Sequence, residues 1–423
     1  MGHHLGNDAT AHGARKSSPG RLCKLRTGIL ASSATDTQGN GQLTKFLRIK
    51  NATGLVFEDS TIRQTIMVTL SAPKIRLQIS NTFGGSDLPI TAVTLALPSE
   101  GKAGISSIQT DTLQNLTFSG SESFIVPNGA SVLSDPVDFP IDAQTIVTIS
   151  MYLASGQTTN SINSHPGSRT TSYFVHGNHV EDEDLEGAAS AAHWYFIQSI
   201  EGLVPAGSAA VACVGDSITD GRGSTTNGND RWPDQLVARL QAEPRFSNIA
   251  VVNEAAGGNR ILADGLGPNA LGRIDRDVIS MPGVKYAIIF EGVNDLGSAG
   301  NDTETQRAIG DRVIEAYDQI ITRLHRFGIA VFGATITPII GPESIYSDPE
   351  REKTRQRLNE WIRSSGKFDA VIDFDKATRD PENQTQLLEA YNSGDFLHLS
   401  PDGYKAMAKA VDLTLFEKFR RGL

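Results

Sequence analysis

The chain has 423 residues and a formal net charge of −10, from 38 Lys and Arg against 48 Asp and Glu. A single core rarely grows past roughly 250 to 300 residues, so more than one folding unit is expected. The acidic balance excludes nucleic acid and anionic membranes as electrostatically driven partners. No apolar run approaches the roughly 18 residues that span a bilayer.

Residues 1–42 read as a disordered or loosely attached segment, polar and basic, without the apolar stretch of a secretory signal. On that reading the protein is cytoplasmic by default, its localisation otherwise open. His3 and His4 have no third ligand spaced nearby, so no metal site is expected there. The sequons at Asn51, Asn115, Asn301 and Asn383 are about what composition alone produces. Cys213 lies in the apolar run 209–214 and reads as a buried strand thiol, and no disulfide to Cys23 is expected.

Residues 43–205 read as a β-rich domain. Strand-like alternation occurs at 65–70, 74–79, 90–97 and 145–152. Turn residues such as Gly84-Gly85, Pro127-Asn128-Gly129 and Ser134-Asp135-Pro136 separate such runs. Short strands with regular turns suggest an antiparallel β-sandwich or jelly roll. The acidic run 181–186 lacks the spacing of an EF-hand loop and reads as a solvated loop.

From 206 to 423 the pattern becomes strand–helix alternation. Strands are predicted at 211–214, 249–252, 286–290, 329–333 and 370–372. Helices are predicted at 232–242, 271–279, 303–327, 353–362 and 404–419. Such alternation implies a parallel sheet covered by helices on both faces, with ligands beyond the carboxyl ends of its strands.

Four segments at those ends carry chemistry. Ser217, in Gly215-Asp216-Ser217-Ile218-Thr219-Asp220-Gly221, is a candidate nucleophile that needs a neighbouring base. Gly257-Gly258 can present backbone N–H groups closely to a ligand. Asn294, in Gly292-Val293-Asn294-Asp295, can donate to a developing oxyanion. Asp395 and His398 have the spacing for a carboxylate to orient an imidazole. Singly, each admits a plainer reading: a tight turn, a glycine turn, a helix cap and a structural histidine.

Together and in this order, the four segments resemble the blocks of the SGNH (GDSL-type) hydrolase family, from about Ala209 onward. Ser217, Gly258, Asn294 and His398 match the residues that name the family, and Asp395 matches its triad acid. Asn229-Asp230-Arg231-Trp232-Pro233-Asp234, Gly258-Asn259-Arg260, Glu291-Gly292-Val293-Asn294-Asp295 and Trp361-Ile362-Arg363 are similar to its arylesterase/acylhydrolase-type branch. Members of that branch often carry a β-rich N-terminal domain, which residues 60–65 and 81–85 resemble. Members are also often secreted. Leu399 stands where the family usually has Pro, with Pro401 two residues on; this loosens the expected loop and removes no chemical group.

The resemblance implies a three-layer, flavodoxin-like parallel sheet and a serine esterase that needs no metal or organic cofactor. Ser217, His398 and Asp395 would form the triad. The N–H groups of Ser217 and Gly258 and the Asn294 amide would form the oxyanion hole. The substrate would be a small-molecule or polysaccharide-linked ester with a short-acyl, aryl or carbohydrate-linked acyl group. Two other readings stay open: a lysophospholipase or thioesterase for longer acyl chains, and a catalytically silent carbohydrate-binding protein. Oligomeric state is not readable.

Overall fold

The computed structural model describes residues 21–27, 56–342 and 344–420. The antiparallel part contains two main sheets. The six-stranded sheet runs, in spatial order, Ala189–Ala192, Thr171–His176, Ser60–Met67, Ile146–Leu153, Ala92–Pro98 and Ile108–Asn115. The other centres on Ala72–Ser80, which pairs with Ile197–Val204 on one side and with Ser131–Leu133 and Val137–Ile141 on the other. Ile75, Leu77 and Ile79 of one sheet and Val147, Ile149 and Met151 of the other alternate inward into one apolar core. Two sheets sharing a core in this way are the layers of a sandwich.

One strand of this part lies where a loosely attached segment was expected. Arg21–Thr27 pairs antiparallel with Ile197–Val204, from Arg21 opposite Val204 to Thr27 opposite Ser199. The unpaired edge of Ile197–Val204 supplies the backbone partners that a polar, basic sequence cannot announce. The remainder of 1–42, with His3 and His4, lies outside the described residues.

The residues after 208 form a five-stranded parallel sheet in the order Ile249–Ala255, Ala209–Gly215, Val284–Phe290, Ala330–Ala334, Ala370–Ile372. In chain order this is 2-1-3-4-5, the doubly wound arrangement expected from the strand–helix alternation. The first strand, Ala209–Gly215, is interior to the sheet and buried at every position, which is why it reads as continuous apolar sequence. Cys213 on it is a free, fully buried thiol, and burial pushes its pKa well up. Among the described residues no helix is long and apolar enough to cross a membrane.

The helices Trp232–Ala242, Thr303–His325 and Pro349–Ser364 cover the sheet through apolar positions such as Leu236, Val313, Ile320 and Leu358. Two predicted helices differ in detail. Residues 271–279 are an α-turn, Ala270–Ile274, running into a π-turn, Asp275–Ile279. Residues 404–419 are two helices, Pro401–Ala410 and Thr414–Lys418. They break because the Asp412 carboxylate takes the N–H and hydroxyl of Thr414, starting a new turn.

The topology fixes where a ligand can sit. The first strand lies between the second and third, and Gly215 is level with both Ala255 and Phe290. Three strands therefore end at one height, at the point where the chain's direction around the sheet reverses.

Candidate active site

Ser217 opens the single helical turn Ser217–Asp220 directly after the first strand. The side chain of Asp216 caps that turn by accepting the N–H of Ile218 at 2.9 Å. As the first residue of the turn, Ser217 keeps its own N–H free of a helical partner. Gly258, after the second strand, has φ +72, a left-handed conformation that glycine adopts without strain. Among the described residues the backbone N–H groups of Ser217 and Gly258 donate no hydrogen bond.

Asn294 follows the third strand in the helix Val293–Ser298. Its helix-cap reading does not hold: the cap is Gly292, at φ +116. The Asn294 side chain is instead fixed from two sides. Its Nδ2 donates to the Asn259 carbonyl at 2.8 Å, and its Oδ1 accepts the Tyr346 hydroxyl at 2.7 Å. Because Nδ2 carries two N–H groups, one remains for a ligand.

His398 and Asp395 sit on the loop before helix Pro401–Ala410. Asn392 Oδ1 accepts the N–H groups of Gly394 and Phe396, and Asp395 Oδ1 accepts those of Leu397 and His398. These local turns bring Asp395 Oδ2 to 2.6 Å from His398 Nδ1. The opposite ring nitrogen, Nε2, lies 2.7 Å from Ser217 Oγ. With the Nδ1 proton directed at Asp395, Nε2 is left to accept from the serine hydroxyl. Burial raises the Asp395 carboxyl, but the hydrogen bonds from His398 outweigh it and hold the group well below the usual carboxylate range. Leu399, in place of the expected proline, is fully buried, and Ser400 caps the helix that Pro401 begins.

All five residues singled out from the sequence line one cavity of about 400 Å³, together with Gly167, Arg169, Asp220, Leu266 and Tyr346 among others. This is an arrangement that can pass a proton from a hydroxyl to an imidazole and hold a negative oxygen opposite.

Residues 213–406 match the model of the GDSL-like Lipase/Acylhydrolase family. The chain carries a GDSL-like lipase/acylhydrolase domain. It is therefore a carboxylic ester hydrolase. Solved structures resemble it at low identity. A GDSL-like lipase from Bacteroides thetaiotaomicron is 18% identical, aligning 49% of this chain and 88% of that one with a TM-score of 0.36. A catalytic mutant of Axe2, an acetylxylan esterase from Geobacillus stearothermophilus, is 22% identical, aligning 48% of this chain and 91% of that one with a TM-score of 0.36. No curated protein sequence matches the chain.

Beneath the GDSL-like site lies a charged network that sequence reasoning missed. Arg273 is fully buried and donates to the carbonyls of Gly215 and Glu254, to Asn259 Oδ1, and to the carboxylates of Asp277 and Glu291. It thereby ties together the ends of the first two strands, the glycine turn and the start of the Asn294 segment. Asp295 accepts the N–H groups of Ile261 and Leu262 at 2.8 and 3.0 Å, holding the same turn from its far side. Burial pushes Asp216 up to about 7 and Glu291 well above the usual carboxylate range. Nothing in the spacing of Arg273 marks it in the sequence.

Proposed function

We propose that the protein is a serine esterase acting through an acyl-enzyme, with Ser217 as nucleophile, His398 as general base and acid, and Asp395 as the group that orients His398. The observation that carries this reading is the continuous chain from Ser217 Oγ to His398 Nε2 at 2.7 Å and from His398 Nδ1 to Asp395 Oδ2 at 2.6 Å. His398 takes the hydroxyl proton as Ser217 attacks the ester carbonyl. The N–H groups of Ser217 and Gly258 and the Asn294 amide hold the tetrahedral oxyanion. His398 then protonates the leaving alcohol, and water releases the acid by the same route in reverse. On this reading residues 206–423 supply the chemistry and residues 43–205 form the accessory domain.

The substrate we favour is an ester with a short acyl group. The cavity beside Ser217 is about 400 Å³, and the apolar side chains Leu266 and Ile345 at its edge are 68% and 81% exposed. A short acyl group fits at the nucleophile while an aryl or sugar alcohol lies against that rim. Nitrophenyl esters of increasing acyl length test this: kcat/KM is expected to peak at acetate to butyrate. A steady rise through octanoate and beyond would instead make the enzyme a lysophospholipase or thioesterase, and no turnover of any ester would defeat the esterase reading.

A further inference from the structure

The antiparallel part of the chain reaches the GDSL-like site through one short loop. His165 closes the two-residue strand Ser164–His165, which pairs with Trp194–Tyr195. Its ring stacks on Trp194 with centroids 6.1 Å apart. Nε2 of His165 lies 2.7 Å from Asp220 Oδ1, and the two side chains are only 3% and 8% exposed. The other oxygen of Asp220 accepts the N–H of Gly257 at 3.1 Å. The loop backbone passes directly over this carboxylate: a Cβ on Gly167 would stand 1.7 Å from Asp220 Oδ2. Arg231 closes the junction by donating to the carbonyls of Ser168 and Asp220.

We propose that His165 is a positioning residue for ester hydrolysis, acting through Asp220 on the Gly257-Gly258 turn and so on the N–H that Gly258 offers to the oxyanion. This rests on the oxyanion role given to Gly258 above. Two consecutive glycines have wide backbone freedom, so a turn made from them holds one geometry only when anchored from outside. Asp220 is the side chain that takes the Gly257 N–H, and His165 holds that carboxylate in place. Without the imidazole, the carboxylate loses its partner from the antiparallel part and can rotate toward the cavity it lines, freeing the Gly257 amide. A displacement of about 1 Å at an oxyanion donor can cost about a hundredfold in rate. On this view the β-rich part completes the catalytic geometry as well as burying apolar surface.

The test compares His165→Leu, which fills the space without a donor, with His165→Gln, which offers an N–H at similar reach. Each is assayed on nitrophenyl acetate beside Ser217→Ala, with the folded fraction measured by thermal melting. His165→Leu is expected to lower kcat of the folded enzyme about tenfold to a hundredfold with KM within about twofold, and His165→Gln to recover most of that loss. A His165→Leu enzyme that melts earlier but keeps kcat would overturn the proposal, as would equal loss in the Leu and Gln variants. Should His165→Leu not fold, Asp220→Glu carries the test, since it keeps the charge but shifts the acceptor away from Gly257. The same fall in kcat is expected, and unchanged kcat overturns. Turnover in Ser217→Ala would show instead that the underlying reading of the site had failed.

Discussion

Arg273 of the parallel-sheet part and Arg63 of the antiparallel part are both fully buried, but they are satisfied in opposite ways. Arg273 meets two carboxylates, Asp277 and Glu291, beneath the strand ends where the candidate site lies. Arg63 meets neutral acceptors: Ser150 Oγ and the carbonyls of Ser106, His179 and Asp182 at 2.6 to 3.0 Å. Burial among neutral partners pulls the Arg63 guanidinium down to about 10, with Asp182 and Asp184 opposing the shift from outside. The difference separates two uses of a buried charge. In one region it compensates acids gathered at the site. In the other it gathers backbone, drawing the acidic 181–186 segment against the six-stranded sheet.

The sharpest way to break this division is to remove the proposed nucleophile. Ser217→Ala is expected to lower kcat by about a thousandfold or more without shifting the melting temperature, since among the described residues the hydroxyl's hydrogen-bond partner is His398 alone. Retention of a tenth of wild-type activity would move the chemistry elsewhere. Arg273→Met should come next, costing about 3–5 kcal/mol of stability, because it takes from Glu291 its cation and from the buried network the hydrogen bonds to Gly215, Glu254 and Asn259, while Asp277 keeps Arg276. A denaturation midpoint near wild type would mean that the buried network does not depend on Arg273.

Asn294→Ala is expected to lower kcat about a hundredfold with little change in KM, and to cost about 1–3 kcal/mol of stability through its hydrogen bonds with Asn259 and Tyr346. Large destabilisation with normal kcat would make Asn294 architectural, on the antiparallel region's pattern. Arg63→Met should cost only about 1–3 kcal/mol, the cost of leaving backbone carbonyls unpaired rather than charges, and kcat should be unaffected. A loss as large as that of Arg273→Met would erase the contrast.

The smallest effect is one of pH. Asp216 has a folded-state pKa raised by burial to about 7, so the folded protein holds a proton there that the unfolded chain gives up near pH 4. The associated stability is fully present below that unfolded value and is lost as pH rises through about 7. Melting temperature should therefore fall between about pH 4 and 7 and level off above, and Asp216→Asn should flatten the slope. An unchanged slope would assign it to Glu291 or Asp295, whose carboxyls burial also raises.

The division also explains what could be read in advance. Ser217, Gly258 and Asn294 follow the ends of the first three parallel strands, and buried parallel strands announce themselves as short apolar runs, so these three could be found by following those runs. Asp395 and His398 lie well past the last strand, Ala370–Ile372, and were legible through their own spacing before the final helix. His165 and Asp220 could not be paired this way. They are 55 residues apart, one on a two-residue strand and the other in the helical turn after Ala209–Gly215, and a His and an Asp at that spacing form no pattern. Tyr346 was equally silent, since its contact with Asn294 spans 52 residues. The strand Arg21–Thr27 was missed because an edge pairing draws on backbone alone and leaves no mark in side-chain alternation.

Cys213 gives this architecture a built-in clock. Its thiol lies in an interior strand of the parallel sheet, four positions ahead of Ser217, wholly shielded and with its ionisation suppressed. A disulfide reagent added to protein carrying Cys23→Ser can therefore modify it only when the strand separates from its neighbours. The labelling rate then counts openings of the catalytic sheet directly. Run beside the decay of esterase activity during heating, it distinguishes loss of the whole sheet from loosening of the loops at its edge. If activity fades while Cys213 stays unlabelled, the site comes apart before the scaffold that carries it.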